Sequence, residues 1–267
     1  MVEELQMTLS QLYEQKPDWF QCETAELPIR VNILDPMDKL SVQIHPDDAF
    51  AKHYNGGRGK PEAWVILDTT EDGEIQFGHH AKTKEEFMQM TEANDFVHLL
   101  KYLKAVKDGF IDIPSGTLHA IGKGVLTYNI SRNADCTLRL YDYDRIDPAT
   151  GKKRDIQPKA VYDNVNIPDT STTFVVYPSA YERGIHVTRY WDEPGLYTLL
   201  RLQVEAQGSF KHDRFAFYTC VKGEGSIQGV PIRQGETMLV PHGMGMLEFK
   251  GVMDLFLASY RNEKDEA

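Results

Sequence analysis

The chain has 267 residues, 41% hydrophobic and 26% charged, which suffices for one large domain or two ordinary ones with real cores and is typical of soluble globular proteins. Forty acidic against 29 basic residues give a formal net charge of -11, which excludes a general binder of nucleic acid or anionic membrane and requires any anionic substrate to meet a local basic pocket. No stretch approaches the roughly 18 apolar residues of a membrane span, the opening Met-Val-Glu-Glu-Leu-Gln is acidic where a signal peptide is basic, and Cys22, Cys136 and Cys220 have no paired spacing, so a cytoplasmic protein with thiols as small hydrophobes is expected.

Leu9, Leu12, Tyr13 and Phe20 recur at helical spacing and predict a short amphipathic helix ending near Pro17. From Leu27 the language changes to strands and turns, with short apolar runs at 29–34, 40–44, 63–67 and 74–77 separated by Asp, Pro and Gly. Between about 83 and 104, Phe87, Met88, Met90, Phe96, Leu99, Leu100 and Leu103 return every three or four residues and predict a helical excursion. Strands resume at 110–113, 125–130 and 137–143, and a polar stretch from about 144 to 170 reads as a connection. A second all-β block, punctuated by glycines, runs from about 171 to 260. The expected organisation is an amino-terminal helix in 1–26, a first β domain in 27–145 with its helical insertion, a connection in 146–170 and a second β domain in 171–267.

Four potential metal ligands lie in the first β block: Gln43 and His45, Glu62, and His119. Two imidazoles, a carboxylate and an amide suit a borderline cation such as zinc and leave positions for water or substrate, a catalytic rather than a closed structural set. In a strand, residues i and i+2 share a face, so Gln43 and His45 can look inward while Val42 and Ile44 look the other way. Pro114-Ser-Gly-Thr-Leu-His119 makes a tight turn that delivers His119, and Glu62 opens another apolar strand. The adjacent His79 and His80 point to opposite faces, and His242 stands alone, so no second metal site is expected.

Leu40-Ser-Val-Gln-Ile-His-Pro-Asp-Asp48, Gly59-Lys-Pro-Glu-Ala-Trp64, Pro114-Ser-Gly-Thr-Leu-His-Ala-Ile-Gly-Lys-Gly124 and Asn133-Ala-Asp-Cys-Thr-Leu-Arg-Leu-Tyr-Asp-Tyr-Asp-Arg145 together resemble type I mannose-6-phosphate isomerases of the cupin superfamily. The similarity is strong from about 27 to 160 and weaker beyond. The resemblance implies a mainly β fold of two cupin-like jelly-roll barrels with a helical insertion and short helices, the second barrel degenerate and without metal. It implies one zinc ion per chain on Gln43, His45, Glu62 and His119, and interconversion of mannose 6-phosphate and fructose 6-phosphate through an enediol. Arg139 matches the family's catalytic arginine, Lys60 an active-site lysine, Ser41 a substrate-contacting serine, and Asp135 an acidic residue four before the arginine. Lys60 and Asp135 both stand as candidates for the base, with Lys60 and Arg139 supplying charge for the sugar phosphate.

Two departures accompany it. The family carries a glutamate where this chain has Asn129, an amide that can hydrogen-bond a sugar hydroxyl but cannot take a proton. Relatives also begin some tens of residues earlier, with strands that complete the first barrel, so strand edges without cover are expected here. The rival reading is a non-catalytic sugar-phosphate-binding or regulatory protein derived from the enzyme; a metal-dependent oxygenase fits less well because Lys60 and Arg139 favour an anionic sugar. A hexose 6-phosphate is the expected small-molecule partner, with neither nucleic acid nor membrane, in a monomer or homodimer.

Overall fold

Thr8 starts the first helix with a capping box: its Oγ1 accepts from the Gln11 backbone N–H at 3.2 Å, and the Gln11 side chain accepts from the Thr8 N–H at 2.8 Å. This helix, α1, covers Leu9–Gln15 and gives way to a 3-10 turn at Pro17–Trp19. The computed structural model describes residues 2–265, and in that range the chain is mainly β, with nineteen strands against five α-helices. No helix among the described residues is long and apolar enough to cross a membrane. Two compact units form, Met1–Arg30 with Tyr177–Ala267, and Val31–Val176.

The second of these carries strand β1 (Ile29–Leu34) from Val31 onward, and β2 (Val42–Ile44), β3 (Glu62–Thr69), β4 (Glu74–His79), β5 (Leu100–Lys104), β6 (Phe110–Ile113), β7 (His119–Ile121), β8 (Val125–Arg132) and β9 (Leu138–Tyr141). They make a four-stranded sheet in the order β1-β8-β3-β6 and a five-stranded sheet in the order β5-β4-β7-β2-β9. Trp64, Ile66 and Ile111 from the first sheet pack with Ile75, Phe77 and Ile121 from the second in one buried cluster. On the other face of the five-stranded sheet, Val42, Ile44, Leu118, Ala120, Leu138 and Leu140 pack against helices. These are α3 (Lys84–Glu92), α4 (Phe96–Leu99) and α5 (Pro158–Asn164), through Phe87, Phe96, Leu99 and Val161; a further helix, α2, covers Asp48–Asn55. Because side chains alternate across a strand, the residues between those apolar positions are sent to the inter-sheet side.

The helical excursion is shorter than its periodicity predicts. Leu100–Lys104 is not helix but strand, pairing with β4 through Ile75 opposite Leu103 and Gln76 opposite Tyr102. Leu, Tyr and Lys serve either state, and the unpaired edge of β4 supplies backbone partners that a further helical turn would leave unused. The stretch from 144 to 170 is likewise more than a connection: β10 (Ile146–Asp147) and β11 (Lys152–Lys153) form a small hairpin, and α5 buries Val161 in the helical layer.

In the other unit, β12 (Ser179–Glu182), β13 (Ile185–Asp192), β14 (Tyr197–Val204), β15 (Gln207–Lys211), β16 (Ala216–Ile227), β17 (Val230–Arg233), β18 (Thr237–Val240) and β19 (Met246–Tyr260) make one antiparallel sheet. The long strands β16 and β19 pair with each other and hold β15, β17 and β18 along their lengths. Ile185, Leu202, Tyr218, Phe249, Leu255 and Leu257 fill its core. Phe20, just after α1, is buried edge-on against Phe215 at 5.1 Å. All three cysteines are free thiols; Cys136 and Cys220 are buried and Cys22 is half-buried.

Candidate active site

Strand register assembles most of the site. In the five-stranded sheet Gln43 lies opposite His119 on one side and opposite Arg139 on the other, and His119 in turn lies opposite Phe77. Cross-strand partners share a face, so Phe77, His119, Gln43 and Arg139 form one row on the inter-sheet side. His45 follows Gln43 by two residues onto the same face. Glu62 comes from the facing sheet, where it begins β3 opposite Ser131 and Ile113.

A turn ties the two histidine segments together. The Thr117 N–H donates to the Pro114 carbonyl at 3.1 Å, Gly116 adopts φ +83°, and its N–H donates to the His45 carbonyl at 2.8 Å. A Cβ at Gly116 would sit 2.6 Å from Asn166 Oδ1 and 2.7 Å from the Asn164 carbonyl. Gly116→Ala is therefore expected to destabilise the protein by about 2 kcal/mol, the left-handed backbone and the clash acting together. Denaturant unfolding read as a shift in midpoint checks this; an unchanged midpoint removes the turn from the list of structural requirements.

His45, Glu62 and His119 are all buried, and one ligand atom from each lies within 4.8 Å of the other two. His45 Nδ1 is 3.0 Å from the Cys136 carbonyl and His119 Nδ1 is 2.9 Å from the Thr117 carbonyl. A carbonyl only accepts, so each Nδ1 carries a proton, and in the neutral ring Nε2 presents a lone pair. Neither Nε2 has a hydrogen-bond partner. Both face the Glu62 carboxylate, at 3.4 Å for His45 and 3.6 Å for His119.

Burial pushes the His119 imidazole down to about 4, which keeps its ring neutral at neutral pH. Burial would raise the Glu62 carboxyl, but His45, His119 and Lys60 outweigh it and hold the group well below the ordinary carboxylate range. Once both rings are neutral, their two lone pairs meet the ionised carboxylate with only the Lys60 ammonium beside it, and a cation placed between the three groups would satisfy them. Bonds of ~2.1 Å at tetrahedral angles place ligand atoms ~3.4 Å apart, close to the 3.4 and 3.6 Å between the two histidines and Glu62, so the donor set fits a divalent metal ion.

The remaining candidate residues surround this cluster to different degrees. Lys60 Nζ is 3.3 Å from Glu62 Oε2 with only 15% of its side chain exposed. Ser41 is buried, and its Oγ donates to Gln43 Oε1 at 3.2 Å, which orients the amide. The Arg139 Nη1 donates to the Asp155 carbonyl at 2.9 Å, while its Nε is buried without a hydrogen-bond partner. Asp135 is exposed in the loop between β8 and β9, where its backbone carbonyl accepts from Asn55 at 3.2 Å.

No protein-family model matches the chain. It is 36% identical over 258 residues to mannose-6-phosphate isomerase ManA of Bacillus subtilis, covering 94% of this chain and 81% of that protein. The chain belongs to the mannose-6-phosphate isomerase family. It is an isomerase. Mannose-6-phosphate isomerase of Streptococcus mutans is 34% identical over 263 residues, covering 96% of this chain and 81% of that one. The crystal structure of the mannose 6-phosphate isomerase from Bacillus subtilis superposes with a TM-score of 0.89 at 28% identity, covering 94% of this chain and 81% of that chain.

For a member of the mannose-6-phosphate isomerase family, the surroundings of Asn129 are informative. Asn129 is buried opposite Trp64, and its Oδ1 accepts from Asn32 Nδ2 at 3.2 Å, so an amide faces an amide. Sequence reasoning did not find Asn32, although a polar residue within the apolar run Ile29–Leu34 was a signal. Trp64 was also overlooked as a site residue: its Nε1 donates to Glu62 Oε1 at 3.0 Å and aims the carboxylate. Asp155 and Gln157, both on Arg139, carried no local signal at all.

Proposed function

We propose that this isomerase interconverts mannose 6-phosphate and fructose 6-phosphate with one zinc ion per chain, held by Gln43, His45, Glu62 and His119. The observation that carries this reading is the pair of unpartnered Nε2 atoms facing Glu62, in a chain 36% identical to a protein named mannose-6-phosphate isomerase. A bound zinc ion supplies Lewis acidity and polarises a sugar oxygen.

The reaction removes a proton from C2 of the open-chain aldose and returns one to C1, with charge developing on O1 and O2 of the enediol between them. Arg139, on the same row as Gln43 and His119, donates to those oxygens as charge builds, and a preorganised donor of this kind acts chiefly in the transition state. Lys60 stands beside Glu62 and is better placed than exposed Asp135 to handle the carbon-bound proton. Ser41 and Asn129 hydrogen-bond sugar hydroxyls, Asn129 without the charge of a carboxylate. Arg139 supplies positive charge that a phosphorylated sugar needs in a chain of net charge -11, and Lys60 adds to it while it is protonated. In this reading both β units are cupin-like barrels, the second without a metal, and the enzyme works in the cytoplasm as a monomer or homodimer.

The test is the initial rate of fructose 6-phosphate formation from mannose 6-phosphate by the purified chain, before chelation, after it, and with zinc restored. Loss on chelation and recovery with zinc is the expected result. A folded, zinc-loaded protein without turnover would shift the assignment to a sugar-phosphate-binding protein.

A further inference from the structure

The strand β9 lies at the edge of its sheet, so the outward backbone groups of Arg139 need partners from elsewhere. Both find the same residue. The Arg139 N–H donates to the Gln157 side-chain Oε1 at 3.0 Å, and the Gln157 N–H donates to the Arg139 carbonyl at 2.7 Å. Two residues earlier, the Asp155 carbonyl accepts from the Arg139 guanidinium at Nη1. The segment is anchored by Arg154, whose Nε donates to the buried Asp142 carboxylate at 2.8 Å and whose Nη2 also meets it. Asp142 is itself on the chain immediately after β9, so 154–157 forms a strap zipped along 139–142.

The strap leaves Arg139 with one guanidinium nitrogen engaged and with Nε buried and unpartnered. An arginine has many rotamers, and a donor that must meet a developing charge gains from having them restricted beforehand. Backbone pinning by Gln157 and guanidinium pinning by Asp155 restrict the main chain and the side chain together.

We propose that Gln157 is a positioning residue for the isomerase reaction, holding β9 and the strap in register so that the Asp155 carbonyl restrains the guanidinium of Arg139, a residue of the row formed with Gln43 and His119. This rests on the reading of Arg139 given under Proposed function. Gln157 acts through Arg139 and touches no reacting atom. Its side chain contributes only an acceptor, so glutamate replaces it in kind and leucine does not.

The experiment compares Gln157→Leu, Gln157→Glu and Arg139→Ala, each with kcat, KM, bound zinc and thermal midpoint. Gln157→Leu is expected to lower kcat by about fivefold or more, with KM within about twofold and zinc retained, because the Arg139 contact that it loosens is made in the transition state. Gln157→Glu is expected to stay within about twofold of the parent, since the acceptor remains. If Gln157→Leu does not fold, Gln157→Ala, which adds no bulk, carries the same comparison. A parent-like kcat in Gln157→Leu beside an impaired Arg139→Ala overturns the positioning role. So do equal losses in the leucine and glutamate variants, or loss of zinc together with activity, which mark a merely structural contact. An unimpaired Arg139→Ala instead fails the underlying reading of Arg139, whatever the Gln157 variants do.

Discussion

His119→Ala is expected to abolish bound metal and isomerase turnover together, a loss of about a thousandfold or more, since the charge-stabilising cation leaves with its ligand. The argument rests on how the ring is held. Its Nδ1 is committed to the Thr117 carbonyl, so Nε2 can serve only as a lone pair toward the Glu62 group. Alanine removes one of two imidazoles from the cluster and leaves Glu62 with His45, Lys60 and the Trp64 indole N–H. His119 is almost fully buried on a strand paired on both sides, and the variant also opens a cavity there. Metal content by elemental analysis and the circular dichroism spectrum separate loss of the ion from loss of the fold. A folded, metal-free variant with full turnover would sink the zinc-dependent reaction.

Arg139→Ala is the second large effect, and it is opposite in kind: zinc should stay while kcat falls by at least about tenfold, as when one charge-stabilising donor is deleted from an active site. Arg139 lies in register with Gln43, but it lends nothing to the His45, Glu62 and His119 cluster, so the metal donors remain. Arg139→Lys is expected to recover only part of the rate, because an ammonium offers a point charge where the guanidinium offers a fork of donors. Steady-state kinetics with zinc content measured on the same samples decides the matter. A parent-like kcat in Arg139→Ala takes the residue out of the chemistry.

Much of this site could be read along the chain because its parts are local. The alternation Val42, Gln43, Ile44, His45 sorts apolar from polar residues by face, and the helices that cover Val42 and Ile44 leave Gln43 and His45 on the inter-sheet side. The Pro-x-Gly turn is equally local, since Gly116 occupies a backbone region that a side chain would strain. The helical excursion shows where such reading fails. Leu99, Leu100 and Leu103 satisfy a helical period, yet Leu100–Lys104 runs as strand because β4 offers it a ladder. Asn32 and Gln157 escaped for a related reason, as each acquires its role from a residue 97 or 18 positions away.

By itself, then, the amino-acid sequence determined the residue types of a cluster that could hold a metal, the strand faces that carry Gln43 and His45, the turn before His119, and the mainly β character of the chain. Periodicity and turn chemistry act over a few residues, and those features need no more. Only the tertiary structure decided that Glu62 crosses from the facing sheet to meet both imidazoles, that the carbonyls of Cys136 and Thr117 turn each Nε2 toward it, and that the strap at 154–157 closes on Arg139. Those arrangements depend on strand pairing and burial between segments far apart in the chain, where the free energy of each contact exists only once the two sheets have packed.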